Sequence, residues 1–239
     1  MAAVSMTAGP REGMPGPARI ELPESEMLAA LSDRLMSAHR TRGRRIMVGI
    51  CGAPGAGKSR LAEKLVDHLG VDLARVVPFD GFHLATSVLE GTPLIYRRGA
   101  LDTFDLGAFR SIITRLRERD EEVVYAPAFV RGLEEPIASS IPIPREVPLI
   151  VTEGNYLLTE HPAIDDVRRQ LDEVWYLDTP HDIRVPQLVA RHVAFGKAED
   201  EAAAWALGTD QRNAEQIEAT KHASDLIITV SRTGAQSEE

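Results

Sequence analysis

The residues most able to do chemistry in this chain sit in one run, Gly52-Ala-Pro-Gly-Ala-Gly-Lys58-Ser59. The run satisfies the pattern G-x-x-x-x-G-K-[ST], with an apolar stretch before it and a helix-like stretch after it. Glycines let a backbone wind tightly and aim successive N–H groups at phosphate oxygens. The start of the following helix adds partial positive charge. A lysine at position 58 would reach the β- and γ-phosphates of a nucleotide, and the Ser59 hydroxyl would ligate Mg2+. The chain carries only four lysines, Lys58, Lys64, Lys197 and Lys221, and otherwise uses arginine, so Lys58 stands out against the chain's own usage. The expected nucleotide-binding segment is therefore Gly52, Ala53, Pro54, Gly55, Ala56, Gly57, Lys58 and Ser59, with Arg60 following.

Two acids complete the pattern. Leu149-Ile-Val-Thr-Glu153-Gly154 is a short apolar strand that ends in an acid. At the C-terminal edge of a sheet Glu153 would face the phosphates and hold Mg2+ or its water shell. Val76-Val77-Pro78-Phe79-Asp80-Gly81 puts Asp80 at the end of the strand after the glycine-rich loop and its helix. Phosphoryl transfer to an alcohol needs a carboxylate near the acceptor hydroxyl, and Asp80 is the candidate base. A regulatory or switch-type enzyme hydrolysing ATP or GTP is the alternative. It would be favoured by a guanine-specificity motif, Asn-Lys-x-Asp, which the chain lacks, and it gives the acids Asp80 and Asp102 no task.

These residues need strands to present them and helices to cover the strands. Ile46–Cys51, Ala74–Phe79, Pro148–Thr152, Glu173–Leu177 and Leu226–Val230 read as short apolar strands, and Val123–Phe129 as a further one. Helical spacing runs through 23–40, 59–69, 106–119, 165–171, 182–195 and 210–223. Apolar strands alternating with helices predict an α/β protein with a mainly parallel sheet covered on both faces. Residues 1–22 read as a flexible arm. Residues 23–239 read as a single domain, with an N-terminal helix at 23–40 and a core at 46–230. The Pro-rich stretch Pro136 to Pro148 reads as a surface loop. Arg40, Arg42, Arg44 and Arg45 read as a solvated helix C-terminus favoured by the helix dipole.

Four segments in order carry a family resemblance: Gly52–Ser59, Phe79-Asp80-Gly81-Phe82-His83, Arg98-Gly99-Ala100-Leu101-Asp102-Thr103-Phe104-Asp105, and Val151-Thr152-Glu153-Gly154-Asn155-Tyr156. The set resembles the uridine kinase, bacterial pantothenate kinase and phosphoribulokinase group of P-loop kinases. Asp178-Thr179-Pro180-His181-Asp182-Ile183-Arg184 is similar to that group's lid entry. Asn213, Ile217, Thr220, Ala223 and Leu226-Ile227 resemble the C-terminal pattern of pantothenate kinases. The resemblance covers about residues 46 to 230. It implies a P-loop NTPase fold with a helical lid, ATP and Mg2+, and a small-molecule hydroxyl acceptor of nucleoside, pantothenate or sugar type. It implies Asp80 as catalytic base, Asp102 as a contact to acceptor hydroxyls, and Arg184 and Arg191 as lid arginines that neutralise phosphate. A spacing of seven sets both arginines on one helical face, and a planar guanidinium suits phosphate oxygens. The pattern departs at His83, where uridine kinases usually carry Tyr and pantothenate kinases place their His one residue later. His83, Arg131 and Asn213 are the remaining acceptor-side candidates.

Composition bounds the rest. Lys+Arg 27 against Asp+Glu 36 leaves a net charge of −9, which argues against a general nucleic-acid or anionic-membrane partner. The longest apolar runs fall far short of a membrane span. A single cysteine, Cys51, excludes an intrachain disulfide and is consistent with a reducing, cytoplasmic setting. The stripe Met27, Leu28, Leu31 and Leu35 is expected to pack on the chain's own sheet, with a homodimer as the other candidate use.

Overall fold

The structure, a computed structural model, describes residues 16–231. In chain order its elements are β1 (Ala18–Pro23), α1 (Glu24–Arg42), β2 (Ile46–Cys51), α2 (Lys58–Leu69), β3 (Ala74–Pro78), α3 (Thr86–Leu89), α4 (Leu106–Glu118), β4 (Val123–Val130), β5 (Glu135–Pro144), β6 (Leu149–Glu153), α5 (Pro162–Arg168), β7 (Glu173–Leu177), α6 (His181–Ala194), α7 (Glu199–Leu207), α8 (Thr209–Ala219) and β8 (Leu226–Ser231). Six strands form a parallel sheet in the order β1-β8-β7-β2-β6-β3. β4 and β5 form a separate antiparallel ribbon. No helix among the described residues is long and apolar enough to cross a membrane.

The central strand is apolar throughout because both of its faces are buried. Ile46, Val48 and Ile50 of β2 pack with Met27, Leu31 and Leu35 of α1 and Leu61 and Leu65 of α2. Met47 and Cys51 face the opposite layer, with Phe109, Ile112 and Leu116 of α4 and Ile164 and Val167 of α5. Met27, Leu31 and Leu35 of the expected stripe are thus buried against the chain's own sheet, and Leu28 is half-buried at its rim.

The arginines in the last turn of α1 and just after it are a correction. Arg40 is exposed, but Arg45 is only 2% exposed. Its guanidinium donates to the carbonyls of Leu116 (2.7 Å), Val147 (2.9 Å), Pro144 (3.0 Å) and Arg145 (2.9 Å). It therefore ties the end of α4 and the end of β5 to the start of β2. Burial, with Arg119 and Arg117 nearby, pulls its pKa down to about 10, so it stays charged at neutral pH. Arg42 and Arg44 turn back to Asp172, just before β7. The Asp172 carboxylate is 1% exposed and also receives Arg117 at 2.8 Å and the Met47 amide at 2.9 Å. Burial alone would raise its pKa. The bonds from Arg117, Met47 and Arg44 outweigh that and hold it below the ordinary aspartate value.

Five further readings change. Residues 1–15 of the expected arm lie outside the described residues, but Ala18–Pro23 is a strand, paired in parallel with β8. The alternation Arg-Ile-Glu-Leu turns Ile20 and Leu22 onto the α1 side of the core. The expected Pro-rich loop is largely β5. Pro136, Pro142 and Pro144 share one alternation along the strand, and a two-stranded ribbon has a free edge where a missing N–H costs no ladder bond. α5 begins at Pro162 rather than 165, because His161 caps it through the Ala163 amide and Pro162 suits the first helical position. The helix expected at 210–223 ends at Ala219, and α7 before it has no counterpart in the sequence reading.

Asp172→Ala would leave three guanidiniums and one amide without their shared acceptor. It should lower stability by about 3–5 kcal/mol, read as a shift in urea midpoint with an unchanged slope.

Candidate active site

Parallel register brings the C-terminal ends of β2, β3, β6 and β7 to one edge of the sheet. The loop after β2 is shaped by what happens to its carbonyls. The Ala53 carbonyl takes the Ala56 amide at 3.0 Å and Lys58 Nζ at 3.1 Å. The Pro54 carbonyl takes Arg184 Nη1 at 3.0 Å. The Ala56 carbonyl takes the Thr179 hydroxyl at 2.8 Å. With those oxygens and the Ala56 amide engaged, the other N–H groups of the loop and those of the first turn of α2 are the backbone groups left for an anion. Gly55 has φ +80°, and a Cβ there would lie 3.0 Å from the Arg184 carbonyl and from Leu188 Cβ. Only glycine permits α6 to approach this closely.

Around the loop the structure gathers four of the expected side chains. Lys58 is buried, and burial lowers its pKa while Glu153 and Asp80 raise it. Glu153, 4% exposed, lines a cavity together with Ser59. Burial pushes its pKa up, Asp80 adds to the push, and Lys58 opposes it. Asp80 sits in a 3-10 turn, Phe79–Phe82, and receives Arg131 Nη2 at 3.2 Å. Gly81 is required there, since a Cβ would lie 2.5 Å from the Pro127 carbonyl of β4. Ser59, Asp80, Arg131 and Glu153 line one cavity of about 260 Å³ with Phe129 and Ile141.

α6 supplies the two expected arginines. Arg184 is buried, and besides Pro54 it bonds Gln211 Oε1 at 2.5 Å. Arg191 is partly buried on the same helix; burial and Arg131 pull its pKa down, opposed by Asp80, Asp210 and Glu153. Pro186 lies inside the helix between them.

The other candidates spread outward. His83 packs, with tilted rings, against Phe104 (4.0 Å between centroids) and Phe129 (4.9 Å), with Nδ1 2.8 Å from the Asp80 carbonyl. Burial lowers its pKa. Asp102 is half exposed and paired with Arg97 at 3.0 Å. Asn213 is half-buried on α8. Arg60 turns away from the Asp80 cavity to Glu24 of α1, at 3.1 Å. It lines a second cavity of about 250 Å³, with an apolar wall of Met27, Leu28, Leu61, Ile183 and Val230. Cys51 is a buried thiol that donates to the Asn155 carbonyl, its pKa raised to about 11 by burial. Among the described residues no cluster of three or more His, Cys, Asp or Glu could hold a metal ion. Thr179 lies in the lid-entry segment, but nothing in the sequence points to its bond with the loop or to Gln211. Their partners lie across the fold, and no local spacing announces them.

No family model matches the chain. It is 35% identical over 147 residues to a protein of Aspergillus versicolor named as an ATP-dependent kinase-like protein, covering 58% of this chain and 86% of that one. It is 28% identical over 194 residues to a "putative uridine kinase" of Schizosaccharomyces pombe, covering 77% and 83%. Among solved structures it superposes on a "putative fructose transport system kinase" from Silicibacter sp. TM1040 with a TM-score of 0.75 and 36% identity, covering 84% and 98%.

Two outcomes follow from the geometry. Gly55→Ala should destabilise the fold by about 1–2 kcal/mol, since the substitution strains the backbone at a positive φ, measured by denaturant unfolding. His83 takes up its proton less readily when folded than when unfolded. Stability should therefore be full above the ordinary histidine pKa of 6.5 and fall as pH drops below it. His83→Gln should flatten that part of the profile of urea midpoint against pH.

Proposed function

This chain belongs to the uridine kinase-like group of P-loop kinases, and on that premise we propose that it transfers the γ-phosphoryl group of ATP to a hydroxyl of a small metabolite. The observation that carries the reading is the meeting of Lys58, Ser59, Glu153 and Asp80 at one sheet edge, with Arg131 bonded to Asp80. A nucleotide hydrolase that only switches needs the first three. Asp80, lining an adjoining cavity, is what an alcohol acceptor adds.

In this reading the loop amides and Lys58 bind the β- and γ-phosphates. The adenine ring enters the apolar cavity on the Arg60 side of the loop, and the acceptor enters the cavity beside Asp80. The all-oxygen pair of Ser59 hydroxyl and Glu153 carboxylate suits Mg2+, which is commonly held by one or two carboxylates with phosphates and water. When bound there, the ion would neutralise charge on the β- and γ-oxygens. Asp80 takes the proton of the acceptor hydroxyl as its oxygen bonds to the γ-phosphorus. The bond from that phosphorus to the bridging oxygen breaks, and ADP leaves with the electron pair. Arg184 and Arg191 meet the charge on the transferring group, and positioning and electrostatics supply most of the rate. Arg131 holds the Asp80 carboxylate in place and, with His83, Asp102 and Asn213, is assigned to the acceptor side.

The test is ADP release with Mg-ATP across nucleosides, pantothenate and sugars, fructose included, with the product analysed by mass spectrometry. Stimulation by one acceptor, recovered in phosphorylated form, is expected. Tight nucleotide binding with hydrolysis driven only by a macromolecular partner would overturn the reading. Asp80→Asn should reduce transfer by about 10²–10⁴-fold while nucleotide affinity stays near that of the parent chain.

A further inference from the structure

We propose that Gln211 is a positioning residue that aims Arg184 at the phosphate site while leaving its charge uncancelled. The proposal rests on the kinase reading above. Arg184 is 4% exposed, yet none of the ion pairs among the described residues includes it. Its buried guanidinium is held by two neutral oxygens, the Pro54 carbonyl at 3.0 Å and Gln211 Oε1 at 2.5 Å. A carboxylate in the second place would hold the guanidinium as firmly, but it would also spend the positive charge that phosphate needs. An amide oxygen orients without neutralising.

Gln211 is itself guided. Its Nε2 donates to Glu215 Oε1 at 3.3 Å, one turn further along α8. An amide has one donor end and one acceptor end, so binding the NH₂ group to Glu215 leaves the oxygen for Arg184. The result is a relay from exposed Glu215 through Gln211 and Arg184 to the backbone of the phosphate-binding loop. The next residue toward the N-terminus, Asp210, bonds His192 Nε2 at 2.7 Å, immediately after Arg191. The start of α8 therefore grips α6 beside both arginines, on either side of Pro186. An arginine side chain has many rotamers to lose on being fixed. Fixing it in the fold removes that cost from the catalytic step.

The experiment is a double-mutant cycle on the full chain, pairing Gln211→Ala with Arg184→Met, with melting temperature, kcat, acceptor KM and affinity for a fluorescent ATP analogue measured for each form. Gln211→Ala should lower kcat on the order of tenfold, with acceptor KM and melting temperature little changed, and should have no further effect once Arg184 is Met. Gln211→Glu should keep or raise the melting temperature yet also lower kcat, because it restrains the guanidinium and cancels its charge. Gln211→Glu with parental kcat, or additive effects of the two substitutions, would overturn the proposal. If the parent chain phosphorylates no acceptor, the kinase reading fails instead. The cycle is then read in affinity for the ATP analogue, where additivity again overturns the positioning role.

Discussion

A loop that offers its amides to an anion must first dispose of its own carbonyls, and much of the site's architecture serves that requirement. Lys58, Arg184 and Thr179 each donate to one loop carbonyl. The three donors come from α2, α6 and the segment after β7, so the loop is braced from three sides. The brace couples elements far apart in sequence. Moving α6 breaks the bond at Pro54, and moving the turn after β7 breaks the bond at Ala56. Gly55 lets α6 rest on the loop, and its lack of a side chain is part of the same constraint.

The brace also concentrates charge. Lys58 is buried with its hydrogen bond going to a carbonyl rather than a carboxylate, while Arg131 stands close enough to Arg191 to disfavour its charge. Asp80 and Glu153 repel in the same space. Such a group is poorly satisfied by itself and well satisfied by a polyanion with a dication, which is how the proposed substrate would be held. The chain's net charge of −9 hides this local arrangement, because net charge says nothing about distribution.

What was legible in the sequence was what is local. The loop, the strand before it and the helix after it lie within one contiguous stretch, Glu153 closes an apolar strand, and Asp80 follows one by two residues. Their neighbourhood follows from a parallel sheet. What was not legible depends on distant partners. Arg45 looks like a surface charge until four carbonyls from other elements converge on it. β5 looks like a loop because its prolines count against a strand unless its edge is free. Arg60 belongs to the loop by sequence but is drawn off by Glu24, thirty-six positions earlier. Gln211 is one polar residue among many on α8 until Arg184 is seen against it.

The strand β1 adds a consequence for how the molecule is made. It pairs with β8, so segments near opposite ends of the described chain lie side by side in the sheet. Closing so long a loop carries an entropic cost before any contact repays it. A chain emerging from the ribosome cannot complete that edge until β8 has been synthesised. The apolar cavity walled by Met27, Leu28 and Val230 is therefore among the last features to exist, and the central phosphate-binding strand and loop precede the wall that would embrace the base.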